Sequence, residues 1–467
     1  MKNLSYIALF VVWITSVNAS DTLIYSYDQF LYQLREHHPV MERVSLLNGQ
    51  IDAKKMEARG QFDPKLGFHN QRKSFDNKNY YNEIRSELKA PMLFGANAAV
   101  DYENNEGQFL DNSAILPSGG LMSLGIEMPL SRGLIFDQRR KVLQEAELFE
   151  RSTENKQRLM INKLFFSASK SYFEWQANYN LLLIIEEAKD LAFLRYQDVK
   201  SGFNTGDMPA IDTLESYVNY QARLQLYNEI QQDYTLAFLE LQNFLWEEGQ
   251  RPLVLNNNVI PQEMNNSILN SLSDSISIEF QNTVLQHPEL IAAQIDQEQL
   301  ELDLRMAKEM LKPLLNVKYN PLIVVSNDNP INRSMIDNYK LGIEFSYPLF
   351  TRKERAKVQM SKLYLQDNDL IQSNLTLQLT NLLNQILEND RLLDTQIDLG
   401  EEMISRYQGL LDAENEKFSI GESSVFLVNS REIKLLEVQQ KQIKILKNLF
   451  TNRLSLLYQL AFIERIE

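Results

Sequence analysis

Tyr339-Lys340-Leu341-Gly342-Ile343-Glu344-Phe345-Ser346-Tyr347-Pro348-Leu349-Phe350 alternates rings and aliphatics with Lys, Gly, Glu and Ser until a proline stops it. Successive strand side chains point to opposite faces, so Tyr339, Leu341, Ile343, Phe345 and Tyr347 share one face and Lys340, Gly342, Glu344 and Ser346 the other. An earlier stretch, Leu124-Gly125-Ile126-Glu127-Met128-Pro129-Leu130, repeats the phrase, with Met122, Leu124, Ile126 and Met128 opposite Ser123, Gly125 and Glu127. Phe94, Ala96, Ala98, Val100 and Tyr102 form another apolar set against Gly95, Asn97, Ala99 and Asp101, and residues 79–90 alternate in the same way. One apolar face and one face suited to water is the pattern of a transmembrane β-barrel strand. It is also the pattern of a half-buried sheet in a soluble exported protein. In the barrel reading Ile126 and Ile343 face lipid, while Glu127 and Glu344 face the lumen.

The echo belongs to a longer series. His38-Pro39 precedes Pro64, and His287-Pro288 precedes Pro313, each by 25 residues from proline to proline. The alternating stretches come next, and then Phe203-Asn204-Thr205-Gly206 is matched by Phe418-Ser419-Ile420-Gly421. Three signals in one order point to a tandem duplication. The expected first structural repeat covers 20–255, with barrel strands at about 65–129 and a long helical hairpin at about 131–248; the second covers 256–467, with strands at about 314–347 and a hairpin at about 350–462.

Each half is expected to open on a helix, at 26–60 and 276–312. After the strands, residues 134–201 contain neither Pro nor Gly, and 351–420 contain no Pro and only Gly400 and Gly409. A continuous helix over 134–201 would extend roughly 100 Å at 1.5 Å per residue. Return helices at 210–248 and 422–462 complete two antiparallel hairpins. Such helices need a partner along their whole length. Leu436, Ile443, Phe450 and Leu457 supply a seven-residue seam, while Gln439 and Arg453 at companion positions suggest a helix lining a wall rather than a dry core.

Met1-Lys2-Asn3, the apolar run Leu4–Val17 and Val17-Asn18-Ala19 read as a secretory signal at 1–19, cleaved before Ser20. The chain has no Cys, so lipid attachment at a mature N-terminal cysteine, disulfides and thiolate metal sites are excluded. No later window holds 18 consecutive apolar residues, so any membrane crossing would fall to strands closed into a barrel. A net charge of -15, from 47 Lys+Arg and 62 Asp+Glu, lacks the basic footprint of a nucleic-acid binder. His37, His38, His69 and His287 have no companion ligand at a metal-site spacing, and no phosphate loop, dinucleotide fingerprint or nucleophile elbow occurs. No catalytic residue, cofactor or metal is expected.

From Tyr25 to Phe462, this ordered set resembles the TolC-like outer membrane efflux proteins of Gram-negative bacteria. The resemblance implies a mixed α/β membrane protein: a homotrimer whose subunits share one transmembrane β-barrel, continuous with a long periplasmic α-helical barrel. It implies four strands per subunit, contact with outer membrane lipid, and docking on a periplasmic membrane-fusion adaptor that bridges to an inner-membrane pump or secretion ATPase. Carried over residue by residue, Phe203, Gly206, Phe418 and Gly421 mark the periplasmic tip, and Asp212 and Glu215 are candidate acidic aperture residues. Leu427-Val428-Asn429-Ser430 lacks the acid in the second hairpin. The halves also differ in size: 64 residues separate Pro64 from Pro129, but only 34 separate Pro313 from Pro348. Longer strands, an exterior loop or an added hairpin would each account for the excess.

The leading functional expectation is a passive exit duct for efflux or type I secretion. An exported coiled-coil spacer with a small sheet is the alternative, and an enzyme using surface carboxylates a third reading. Detergent dependence and trimer formation separate the duct from the spacer.

Overall fold

The computed structural model describes residues 23–92, 94–256, 258–264, 284–325 and 337–460. The expected signal segment, the start of the helix expected from 276 and the end of the last helix at 462 lie outside these. The elements run β1 (Leu23–Tyr25), α1 (Tyr27–His37), α2 (Pro39–Arg59), β2 (Lys65–Phe75), β3 (Lys78–Pro91), β4 (Asn97–Glu106), β5 (Leu121–Pro129), α3 (Gln138–Thr205) and α4 (Ala210–Gln242). After short β6 (Trp246–Glu247), β7 (Arg251–Pro252) and β8 (Val259–Pro261) come α5 (Pro288–Met310), β9 (Leu314–Val324), β10 (Tyr339–Ser346), α6 (Arg352–Ser419) and α7 (Val425–Gln459). Helices α3 and α6 each contain 68 residues, about 100 Å of helix at 1.5 Å per residue. No helix among the described residues is long and apolar enough to cross a membrane.

The recurrent His-Pro has a local cause. Proline disfavours helical geometry in the residue before it and suits a helix's first position, where its missing N–H is not needed. His38 accordingly takes ψ 132°, and the helix expected over 26–60 is divided into α1 and α2. The backbone N–H of Val40 donates to His38 Nδ1 at 3.1 Å. His287 caps α5 in the same way, accepting from the Glu289 N–H at 3.2 Å.

The chain forms two compact units. Of the described residues, one comprises 23–41, 164–256, 258–264 and 386–456. Its core is aromatic: Tyr27, Phe30, Tyr172, Phe173, Trp175 and Phe450 are buried, with the Phe173 and Phe450 rings 4.6 Å apart. Tyr27 Oη and Ser169 Oγ are hydrogen-bonded at 2.7 Å, and Tyr172 donates to the Tyr25 carbonyl at 2.8 Å, so the two buried tyrosine hydroxyls are satisfied. The expected seam is buried at Leu436, Ile443, Phe450 and Leu457. Arg453 corrects the sequence reading. It is buried, with Nε 3.1 Å from Asp390 and Nη2 3.0 Å from Asp394, and braces α7 to α6 instead of lining water.

Of the described residues, the other unit comprises 42–92, 94–163, 284–325, 337–385 and 457–460. Polar clamps join its helices: Lys55 to Glu150 at 2.5 Å, Arg151 to both Glu298 oxygens at 2.6 and 2.8 Å, and Lys141 to Asp303 at 2.6 Å. It carries one six-stranded sheet of order β10-β9-β5-β4-β3-β2, antiparallel throughout. The strand expected from Phe94 begins instead at Asn97. Met92 and Ala96 close the turn before it, the Met92 N–H donating to the Ala96 carbonyl at 2.8 Å, and Gly95 takes φ 82° there. The first half's excess, 64 residues against 34, is also accounted for: among the described residues the first half supplies four strands to the sheet and the second two, six where the resemblance implied four.

Candidate functional site

Pairing register aligns like residues across the sheet. Leu66 lies opposite Leu88, Leu88 opposite Val100, and Val100 opposite Leu124. Nearer the helices, Ile126 pairs with Tyr319 and Tyr319 with Leu341, while Met128 pairs with Val317 and Val317 with Ile343. These rows make one apolar face, and Leu66, Ile126, Leu341, Ile343 and Phe345 on it are exposed. Contiguous exposed apolar area of this kind marks contact with lipid or protein.

The other face is charged and paired. Arg85 on β3 lies 3.2 Å from Asp101 and 3.5 Å from Glu103 on β4. Glu127 on β5 sits between Lys89 on β3, at 3.6 Å, and Lys318 on β9, at 3.5 Å. Glu344 occupies this face on β10, opposite Asn316. Ile126 and Glu127, like Ile343 and Glu344, therefore point to opposite sides of the sheet.

The two Phe-x-x-Gly turns are helix terminations of one geometry. At the end of α3, Gly206 has φ 88°; its N–H donates to the Phe203 carbonyl at 3.1 Å, and the Asp207 N–H to the Gly202 carbonyl at 2.8 Å. At the end of α6, Gly421 has φ 79°; its N–H donates to Phe418 at 3.1 Å, and the Glu422 N–H to Lys417 at 2.9 Å. This is the Schellman arrangement, in which a left-handed residue lets the last helical carbonyls be satisfied, and glycine adopts it without a Cβ clash. The rings then differ. Phe203 is 45% exposed, whereas Phe418 packs on the cluster of Leu411, Val428 and Leu435. Phe418 thus closes its own hairpin, whereas Phe203 presents its ring outward.

Asp212 is the third residue of α4, whose N-cap Pro209 offers no side-chain acceptor. A carboxylate in a helix's first turn complements its positive end. The second return helix starts differently: Ser424 Oγ accepts from the Leu427 N–H at 3.4 Å, so α7 has a side-chain cap where α4 has a charge. Glu215 borders a groove of about 500 Å³ lined by Ile211, Leu214, Val218, Phe426 and Ile433. Sequence reasoning missed this groove, although Ile211, Leu214 and Val218 follow the three-and-four spacing of one helix face. Beside it Arg195 donates to Glu432 at 2.8 Å and to Asn429 at 3.1 Å. Among the described residues, no group of three or more His, Asp or Glu is placed to hold a metal ion.

No family model matches the chain, and no curated protein sequence does. Solved structures do match. The Campylobacter jejuni CmeC outer membrane channel superposes with a TM-score of 0.65 at 12% identity, covering 93% of this chain and 85% of that one. VceC, an outer membrane protein of Vibrio cholerae, gives 0.64 at 13% identity, with 93% and 95% covered. CusC, whose structures concern transmembrane channel formation, gives 0.64 at 16% identity, with 93% and 91% covered. Over nearly its whole length, the chain has the fold of these outer membrane channels.

Proposed function

We propose that the protein is the outer membrane duct of a tripartite efflux pump or a type I secretion system. Three copies, each built of two structural repeats, share a β-barrel that crosses the outer membrane. The long helices continue as a periplasmic conduit, with the Gly206 and Gly421 turns docked on a membrane-fusion adaptor bridging to an inner-membrane pump or secretion ATPase. The observation carrying this reading is the sheet: an exposed apolar face backed by charges paired with one another. A sheet in a soluble protein buries its apolar face, whereas a barrel wall turns it to lipid and keeps charges on the water side. The spacer alternative leaves that face uncovered. The duct performs no chemistry. It supplies an aqueous path, and energy comes from the inner-membrane partner.

Thiol labelling in this Cys-free chain tests the reading. With Ile343→Cys and Glu344→Cys in intact outer membranes, a membrane-impermeant hydrophilic maleimide should modify position 344 and spare 343. Equal labelling would place β10 in water and return the spacer reading.

A further inference from the structure

Among the described residues, the sheet ends in two unpaired edges: strand β2 pairs only with β3, and β10 only with β9. Free edges in soluble proteins are usually blunted by proline, bulges or very short strands. Here neither edge strand contains proline; β10 pairs with β9 without a break from Tyr339 to Ser346, and β2 pairs with β3 in one register from Lys65 to Lys73, shifting only between Lys73 and Ser74 near its far end. Because six antiparallel strands are an even number, β10 of one copy and β2 of the next run antiparallel when identical copies stand side by side. The faces agree as well: Leu66 and Phe68 on β2, 81% and 71% exposed, continue the apolar side that Leu341, Ile343 and Phe345 present on β10.

The two strands added in the first half are integral to this sheet. Strand β3 pairs with β4 from Asn82 to Pro91, and β2 follows β3 from Lys65 to Phe75. Arg85 to Asp101 and Lys89 to Glu127 tie β3 to β4 and β5 on the charged face. We infer that the partner of each free edge is a second copy of this chain and that all six strands of every copy enter the barrel wall. Given the three-copy reading above, on which this rests, the wall has eighteen strands, against twelve for four strands per subunit. With strands about 4.8 Å apart and tilted about 40°, the backbone diameter is about 36 Å rather than about 24 Å, roughly doubling the cross-section.

Disulfide trapping in full-length protein in outer membranes, with copy number from native mass spectrometry, decides the matter. Ile343→Cys is combined in turn with Leu66→Cys, Phe68→Cys and Asn70→Cys on β2, and with Val100→Cys and Tyr102→Cys on β4. Oxidation should produce a covalent ladder ending at the trimer for at least one β2 position and for neither β4 position. Trimers with no β2 link, or with β4 linked instead, overturn the eighteen-strand wall and leave the duct standing. A monomeric protein without links overturns both.

Discussion

Ile343→Arg puts a charge on the apolar face of an eight-residue strand in which Ile343 is the fifth residue and 68% exposed. At about 3.4 Å per residue β10 spans about 27 Å, so in the proposed barrel the substitution falls near the middle of the roughly 25 Å apolar band. An arginine at that depth costs about 2–4 kcal/mol, roughly 30- to 900-fold in the assembly equilibrium for each copy. Glu344→Arg changes the neighbouring side chain, which faces the charged side of the sheet, and is expected to cost under ~1 kcal/mol. The assay is the share of SDS-resistant oligomer in unheated outer membrane extracts, with total protein measured after heating. Oligomer should be strongly depleted in Ile343→Arg and near wild type in Glu344→Arg. Equal behaviour would refute a bilayer position for β10, and the reverse order would invert its faces.

Three further outcomes are expected. A valine Cβ at Gly206 or Gly421 would meet no atom within 4 Å, so the cost is backbone strain at positive φ, about 1–2 kcal/mol at each site; the double valine variant should assemble normally in gels yet lose export in a transport assay. Arg453→Ala leaves Asp390 and Asp394 facing each other, 20% and 51% exposed, and should lower thermal stability by about 1–3 kcal/mol, with recovery when both aspartates become asparagine. Burial lowers the pKa of His38 and His287 below 6.5, so the unfolded chain takes up their protons first; the stability they contribute is complete above pH 6.5 and lost as pH falls through the folded-state values. Asparagine at both positions keeps a cap acceptor without titrating, and should flatten the loss of melting temperature between pH 7 and 5.

Much of the architecture was legible because its causes are local. Where Pro and Gly are absent a helix continues, and the two 68-residue helices end within a few residues of the expected places. Their Phe-x-x-Gly endings are legible because a Schellman turn needs a residue free to take positive φ. Boundaries slipped where local pattern was ambiguous. Phe94, Gly95 and Ala96 continue the alternation of β4, yet Gly95 at φ 82° turns the chain there. Alternation alone does not distinguish a strand from the turn that leads into it.

What the sequence by itself determined is periodicity: which residues share a face of a strand, where helices must stop, and that no thiol chemistry is present. Partners were decided only in the tertiary structure. Arg453 looked like a polar interruption of a seam until Asp390 and Asp394, 63 and 59 residues away, were seen to hold it. Phe203 and Phe418 occupy the same position in the same turn, but only Phe418 finds a cluster to pack on. The excess between Pro64 and Pro129 was compatible with longer strands, a loop or a hairpin, and pairing made it two more strands of the sheet. The reason is common to all three: a strand's alternation or a helix's repeat is set by the backbone's own geometry, whereas the neighbour that satisfies an edge, a charge or a ring is brought from elsewhere in the chain by packing.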